Sequence, residues 1–213
     1  MLDAEDLDEP TLVATLLDAG NAKTATRAAS DLLEIAGGLA ALARMDASEI
    51  EDALARARIT RPSRAAEALV AAFELSRRMR IADAIPPERF RDTRDVAAWA
   101  QPRIGSLVHE ELWILALDGQ GGLRAARCIA KGGVHGIGVR ATDPLRVALR
   151  VGATGFALVH NHPSGDPSPS AEDLAFTRRI ADAARTVGVP LLDHVVVTRD
   201  GFASIPLDEG GAA

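Results

Sequence analysis

Apolar residues recur at helical spacing from about residue 10 to residue 80. TLVATLLDAG runs to a glycine stop, TATRAASDLLEIAGG to a glycine pair, and GLAALARM makes a short helical segment. DASEIEDALARA opens on Asp46 or Ser48 as N-cap, and PSRAAEALVAAFELSRRMRI carries Pro62 near its start. Caps in front and glycines behind are helix signals, so this part reads as four or five short helices. ADAIPPERFRDTRDVAAWAQPRIG combines prolines and charges, and predicts a linker with one short helix. From about residue 106 the period changes. EELWILALD reads as a strand, and GLRAARCIAKGG as its hairpin partner across DGQGG. TDPLRVALRVGA is a helix, capped by Thr142 or Asp143 with Pro144 at its first position. ATGFALVHNH is a buried strand entering a loop, SAEDLAFTRRIADAARTVG an amphipathic helix ending at Gly188, and LLDHVVVTRDGFASI a hairpin turning at Arg199–Gly201. Strands alternating with helices predict an α/β (α+β) fold behind a small helical domain.

Composition narrows the picture. Hydrophobic residues make up 47% of the 213, enough for a normal core, and aromatics only 3%, so that core is aliphatic. The net charge of −6 argues against wholesale binding to nucleic acid or anionic lipid. No apolar run approaches the roughly 20 residues of a membrane span, and MLDAEDLDEP lacks the regions of a signal peptide. The single cysteine, Cys128, forbids an intrachain disulfide and reads as a small core residue, not a nucleophile. These features predict a cytoplasmic protein with no membrane partner.

The candidate chemistry lies in VHNHPSGDPSPSAED, residues 159–173. Side chains alternate along an extended segment, so His160 and His162 face the same way. With a helix beginning at Ser170, Asp173 falls in its first turn and is carried back by the loop. Two imidazoles, one carboxylate and an open position suit a catalytic zinc rather than a structural one. A purely structural account exists for each piece: S-x-x-D is close to a capping box, PSGDP is an ordinary turn, and histidines occur at strand ends. His194 reads as a hydrogen-bonded core histidine, with an outer-shell metal role as the alternative. His109 and His135 read as surface residues. Asp166 reads as a turn residue or as one that orients a metal ligand.

The string His160-Asn161-His162, seven residues, Ser170, two residues, Asp173 fills the JAMM motif. HNHPSGDPSPS, LLDHVVV and the order of the two domains resemble the RadC-like branch of the JAMM/MPN metalloprotease family. The resemblance implies an MPN-like mixed sheet flanked by helices over 105–213, a linker over 83–104, and a degenerate helix-hairpin-helix-like domain over 1–82. It implies Zn2+ held by His160, His162 and Asp173, with Ser170 steadying an oxyanion. It also implies a glutamate base from an upstream strand. Glu111 is the first choice because the family glutamate directly precedes an apolar run, and Glu110, facing the other side, is the alternative.

The sequence departs from the family at Ile59–Pro62, where hairpin glycines are expected, and over GVHGIGVRATDP. Arg56, Arg58, Arg61 and Arg64 could still touch phosphates weakly, and equally fit a solvated face. Three functions follow: a zinc-dependent hydrolase of peptide or isopeptide bonds, acting on protein or peptide; a DNA-associated protein or metal-dependent nuclease; and a non-catalytic MPN interaction module. Oligomeric state is not legible.

Overall fold

The computed structural model describes residues 4–17, 19–132 and 139–207. His135, read above as a surface residue, lies outside them. The chain divides into two compact units, Met1–Arg80 and Ile81–Ala213.

In the first unit, helices α1 (Glu9–Ala14), α2 (Ala22–Ala36), α3 (Leu39–Leu42), α4 (Ala47–Arg56) and α5 (Pro62–Asp83, running past the boundary) follow the expected pattern. Asn21 accepts from the Thr24 N–H to cap α2, and Asp46 with Glu49 forms a reciprocal capping box on α4. The cap is thus Asp46, not Ser48. Leu32, Leu42, Ile50, Leu54 and Leu69 are fully buried together. In the turn from α4 to α5, Arg58 takes φ +58°, a left-handed conformation that favours glycine. The place of the missing hairpin glycines is therefore still a tight turn, made at some backbone cost. Arg56, Arg58, Arg61 and Arg64 are all exposed.

The second unit holds α6 (Thr93–Ile104), β1 (Glu111–Leu117), β2 (Leu123–Lys131), α7 (Thr142–Arg150), β3 (Gly155–Asn161), α8 (Ala171–Thr186), β4 (Leu191–Val197) and β5 (Phe202–Ser204). Among the described residues the strands make one sheet in the order β2-β1-β3-β4-β5. β1 is antiparallel to β2 and β3, β3 is parallel to β4 through the α8 crossover, and β5 returns antiparallel to β4.

Helices cover both faces. Leu112, Ile114, Ala116, Phe156 and Leu158 pack with Leu145 and Ala148 of α7 and Phe176, Ile180 and Ala184 of α8. Leu115, Leu117, Ala157, Val159, Val195 and Val197 pack with Val96, Ala97, Trp99, Ala100 and Ile104 of α6. A strand buried on both faces reads as a continuous apolar run, and all of β3 is buried.

The stretch 83–104 differs from the linker expected there, since α6 is the covering layer of one sheet face. Its apolar stripe at 96, 97, 100 and 104 is interrupted by charges and by Pro102 near its end, which is why the segment resembles a connection. At its end, Gly105 lets the backbone approach the β4–β5 turn: a Cβ there would lie 2.6 Å from the Thr198 carbonyl oxygen. No helix among the described residues is long and apolar enough to cross a membrane.

Candidate metal centre

β3 delivers His160 on the α8 side of the sheet. The ladder is prolonged by the His162 N–H, which donates to the Val197 carbonyl at 3.0 Å, so His162 keeps the alternation and returns to the same face. The loop then leads to Ser170, the N-cap of α8. The Ser170 hydroxyl accepts from the Asp173 N–H at 3.1 Å, and Asp173 Oδ2 accepts from the Ser170 N–H at 2.8 Å. The structural and chemical readings of S-x-x-D are therefore both present: the capping box holds the Asp173 carboxylate against the two imidazoles.

His160 Nε2 lies 3.1 Å from His162 Nε2 and 3.1 Å from Asp173 Oδ1, and His162 Nε2 lies 3.4 Å from Asp173 Oδ2. Zinc bonds of about 2.0–2.1 Å at tetrahedral angles separate neighbouring ligand atoms by about 3.3–3.4 Å. The three side chains thus fit one metal ion in spacing and in donor type, and they form a group of potential ligand atoms within 4.8 Å of one another. The His160 and Asp173 side chains are 1% and 2% exposed and that of His162 is 15% exposed, so the cluster opens to solvent beside His162.

The groups behind the ligands are fixed as well. His162 Nδ1 lies 2.9 Å from the Asp166 carbonyl oxygen. A carbonyl only accepts, so Nδ1 carries a proton, and Nε2 is the nitrogen that faces the other two side chains. The alternative expectation for Asp166 is met through its backbone, since its carboxylate instead accepts from the Ser168 N–H. His160 Nδ1 lies 3.0 Å from His194 Nε2, and His194 Nδ1 lies 2.6 Å from Thr177 Oγ1. His194 is a buried histidine that touches the cluster directly, and nothing in the sequence singles out Thr177. Burial pushes the Asp173 carboxyl up. The hydroxyl and N–H of Ser170 pull the other way, and the carboxyl lies well below the usual carboxylate range.

The other two candidate residues stand differently. The Ser170 hydroxyl donates to Asp173 Oδ2 at 2.5 Å, so its single proton is engaged.

The expectation for Glu111 is corrected by the strand register. Leu112 pairs with His160 across β1 and β3, so Leu112 shares the His160 face and Glu111 takes the opposite one. There its carboxylate receives Lys131 Nζ at 2.9 Å, Trp113 Nε1 at 2.8 Å and His109 Nε2 at 3.1 Å. Burial raises the Glu111 carboxyl, but these donors and the Lys131 charge bring it below its ordinary value. His109 is exposed, as expected of a surface residue, and its ring also reaches the Glu111 carboxylate.

Alternation carried one residue beyond the start of β1 puts Glu110 on the His160 face. Its backbone carbonyl still accepts from Gly132 in the β1–β2 ladder.

Asn161, between the two histidines, was given no role by the sequence. Fully buried, it accepts from the Glu111 N–H at 2.8 Å and donates to the His109 carbonyl at 3.0 Å. It pins the backbone that sets the position of Glu110. Cys128 is half-buried; burial and the Glu111 charge push its thiol up, which suits a packing residue.

The profile of the RadC-like JAB domain matches residues 90–211, which include α6, the sheet and the whole His–His–Asp cluster. A UPF0758 protein of Flavobacterium johnsoniae is 33% identical over 209 residues, covering 97% of this chain and 88% of the relative. Counterparts of the same description in Carboxydothermus hydrogenoformans and Desulforudis audaxviator are 32% and 30% identical, over 94% and 96% of this chain and 87% of each relative. A profile match over more than half of the chain, centred on a JAB-type sheet, and relatives aligned along almost its full length show that this chain belongs to the RadC-like JAB domain family.

Proposed function

We propose that the protein is a zinc-dependent hydrolase that cleaves a peptide or isopeptide bond in a protein or peptide substrate. The observation that carries this is the convergence of His160 Nε2, His162 Nε2 and the Asp173 carboxylate at tetrahedral zinc spacing, open to solvent on one side. When bound there, zinc supplies a Lewis acid for a substrate carbonyl and water activated near neutral pH. The chain's own residues divide the remaining work. Glu110, on the cluster's face of the sheet, takes the proton from the attacking water and passes it to the leaving amine. Ser170 holds Asp173 in place, and takes its expected oxyanion role by turning its proton from Asp173 to the developing negative charge. A cytoplasmic setting suits a chain with one thiol and no disulfide.

The test is hydrolysis of a panel of peptide-linked and isopeptide-linked substrates by the zinc-loaded protein, against the chelated protein and Glu110→Gln. Zinc-dependent cleavage lost in Glu110→Gln supports the proposal. Zinc-dependent cleavage of DNA with none of peptides assigns the site to a nuclease. Absence of any hydrolysis on either panel favours an interaction module.

A further inference from the structure

The ring nitrogens behind His160 form a chain whose direction can be worked out from one proton. Thr177 Oγ1 lies 2.7 Å from the backbone carbonyl of Asp173, one helical turn earlier. A carbonyl oxygen has no proton to give, so the single hydroxyl proton of Thr177 points to it. His194 Nδ1 lies 2.6 Å from the same Thr177 oxygen, which has only lone pairs left, so Nδ1 must donate. The neutral His194 ring then has a lone pair at Nε2, 3.0 Å from His160 Nδ1. His160 Nδ1 therefore donates in turn, which in the neutral ring leaves no proton for Nε2, the atom that faces His162 and Asp173.

We propose that Thr177 and His194 form a directed hydrogen-bond relay that locks His160 in the metal-ligating tautomer and ties it to the backbone of Asp173. Both are positioning residues. The relay runs from one ligand to the main chain of another, so a single set of bonds orients both. All four residues are 1% exposed or less, so water does not compete for these bonds. His162 is fixed by a different device, the Asp166 carbonyl. The two imidazoles are thus set independently, and each is left with its lone pair directed inward.

Reversing the relay shows its consequence. Without the Thr177 hydroxyl, His194 Nδ1–H would lose this acceptor in a buried site. Moving the proton to His194 Nε2 relieves that, but presents a donor to His160 Nδ1 and drives the His160 proton onto Nε2. That tautomer cannot bind a metal through Nε2. Loss of an orienting partner behind a ligating histidine typically weakens metal binding about 10- to 100-fold.

The proposal rests on the reading of this cluster as a metal centre, and the experiment separates the two. Ring-nitrogen NMR of the metal-free wild-type protein reports the proton positions with no metal involved. A proton on Nδ1 of both His160 and His194 is expected. A bare His160 Nδ1, or a proton on His194 Nε2 of the neutral ring, overturns the relay. Zinc affinity, read by competition with a chelator, should then fall about 10- to 100-fold in Thr177→Val and stay near wild type in Thr177→Ser. Wild-type affinity in a folded Thr177→Val also overturns it. If Thr177→Val does not fold, the wild-type spectrum and Thr177→Ser still decide. A wild-type protein that takes up no zinc sinks the metal reading, and the nitrogen spectrum alone then judges the relay.

Discussion

Two buried carboxylates sit at the same end of the sheet, on opposite faces, and their surroundings differ in kind. Glu111 is met by donors: an ammonium, an indole N–H and an imidazole. Asp173 is held from one side by Ser170, which supplies its N–H and hydroxyl to Oδ2. On the other side it faces Nε2 of His160 and Nε2 of His162. A carboxylate matched by donors is complete as it stands and reads as structural. A carboxylate grouped with two inward lone pairs has an excess of acceptors, and a cation is what that excess suits.

The largest expected effect separates the two acids that open β1. Glu110→Gln should lower hydrolysis by about 10² to 10⁴-fold while zinc content stays unchanged, as for loss of a general base. Glu111→Gln should leave the chemical step largely intact. Steady-state rates for both variants check this, and a reversal of their order would restore Glu111 to the site and contradict the register argument.

Metal should be visible in stability as well. Free zinc at about 100 times its Kd should stabilise the protein by about 2.7 kcal/mol, and a chelator should remove that increment. His160→Ala with His162→Ala should melt at the same temperature with and without zinc, as scanning calorimetry would show.

The donor-matched carboxylate predicts the complementary behaviour. Glu111→Gln should cost about 1–3 kcal/mol near neutral pH, because a buried amide N–H group replaces an acceptor and faces existing donors. The Glu111 carboxyl is lowered from an ordinary value of 4.5, so its contribution is present above that value and is lost as pH falls through the folded value. The difference between wild type and variant in denaturant unfolding should therefore shrink in acid. A difference that grew in acid would mean that the carboxyl is raised instead.

The smallest effect expected is in the helical unit. Its four exposed arginines around the α4–α5 turn form no enclosed site, so full-length protein should bind duplex DNA weakly and lose it steeply as salt rises. Tight binding that persists at physiological salt would show that the turn works without its glycines.

How much of this was legible in the sequence depends on the range of the interactions. The pairing of His160 with His162 follows from strand alternation, and the placing of Asp173 from a local capping pattern, so both could be read within a dozen residues. The face of Glu111 could not. It is decided by the pairing of Leu112 with His160 across β1 and β3, and two adjacent acids give no hint of which one that pairing turns inward. The same limit hid Thr177, an ordinary helix residue until β4 brings His194 against it. It also hid α6, whose charged ends and Pro102 disguise an apolar stripe that only the sheet makes meaningful.

The central claim is that the face carrying His160 holds a divalent metal and the face carrying Glu111 does not. Elemental analysis of purified protein, after dialysis against zinc and removal of the excess, tests it most directly. The account predicts about one zinc per chain in wild type and in Glu111→Gln, and essentially none in His160→Ala with His162→Ala. Equal zinc in the double variant and the wild type would contradict it.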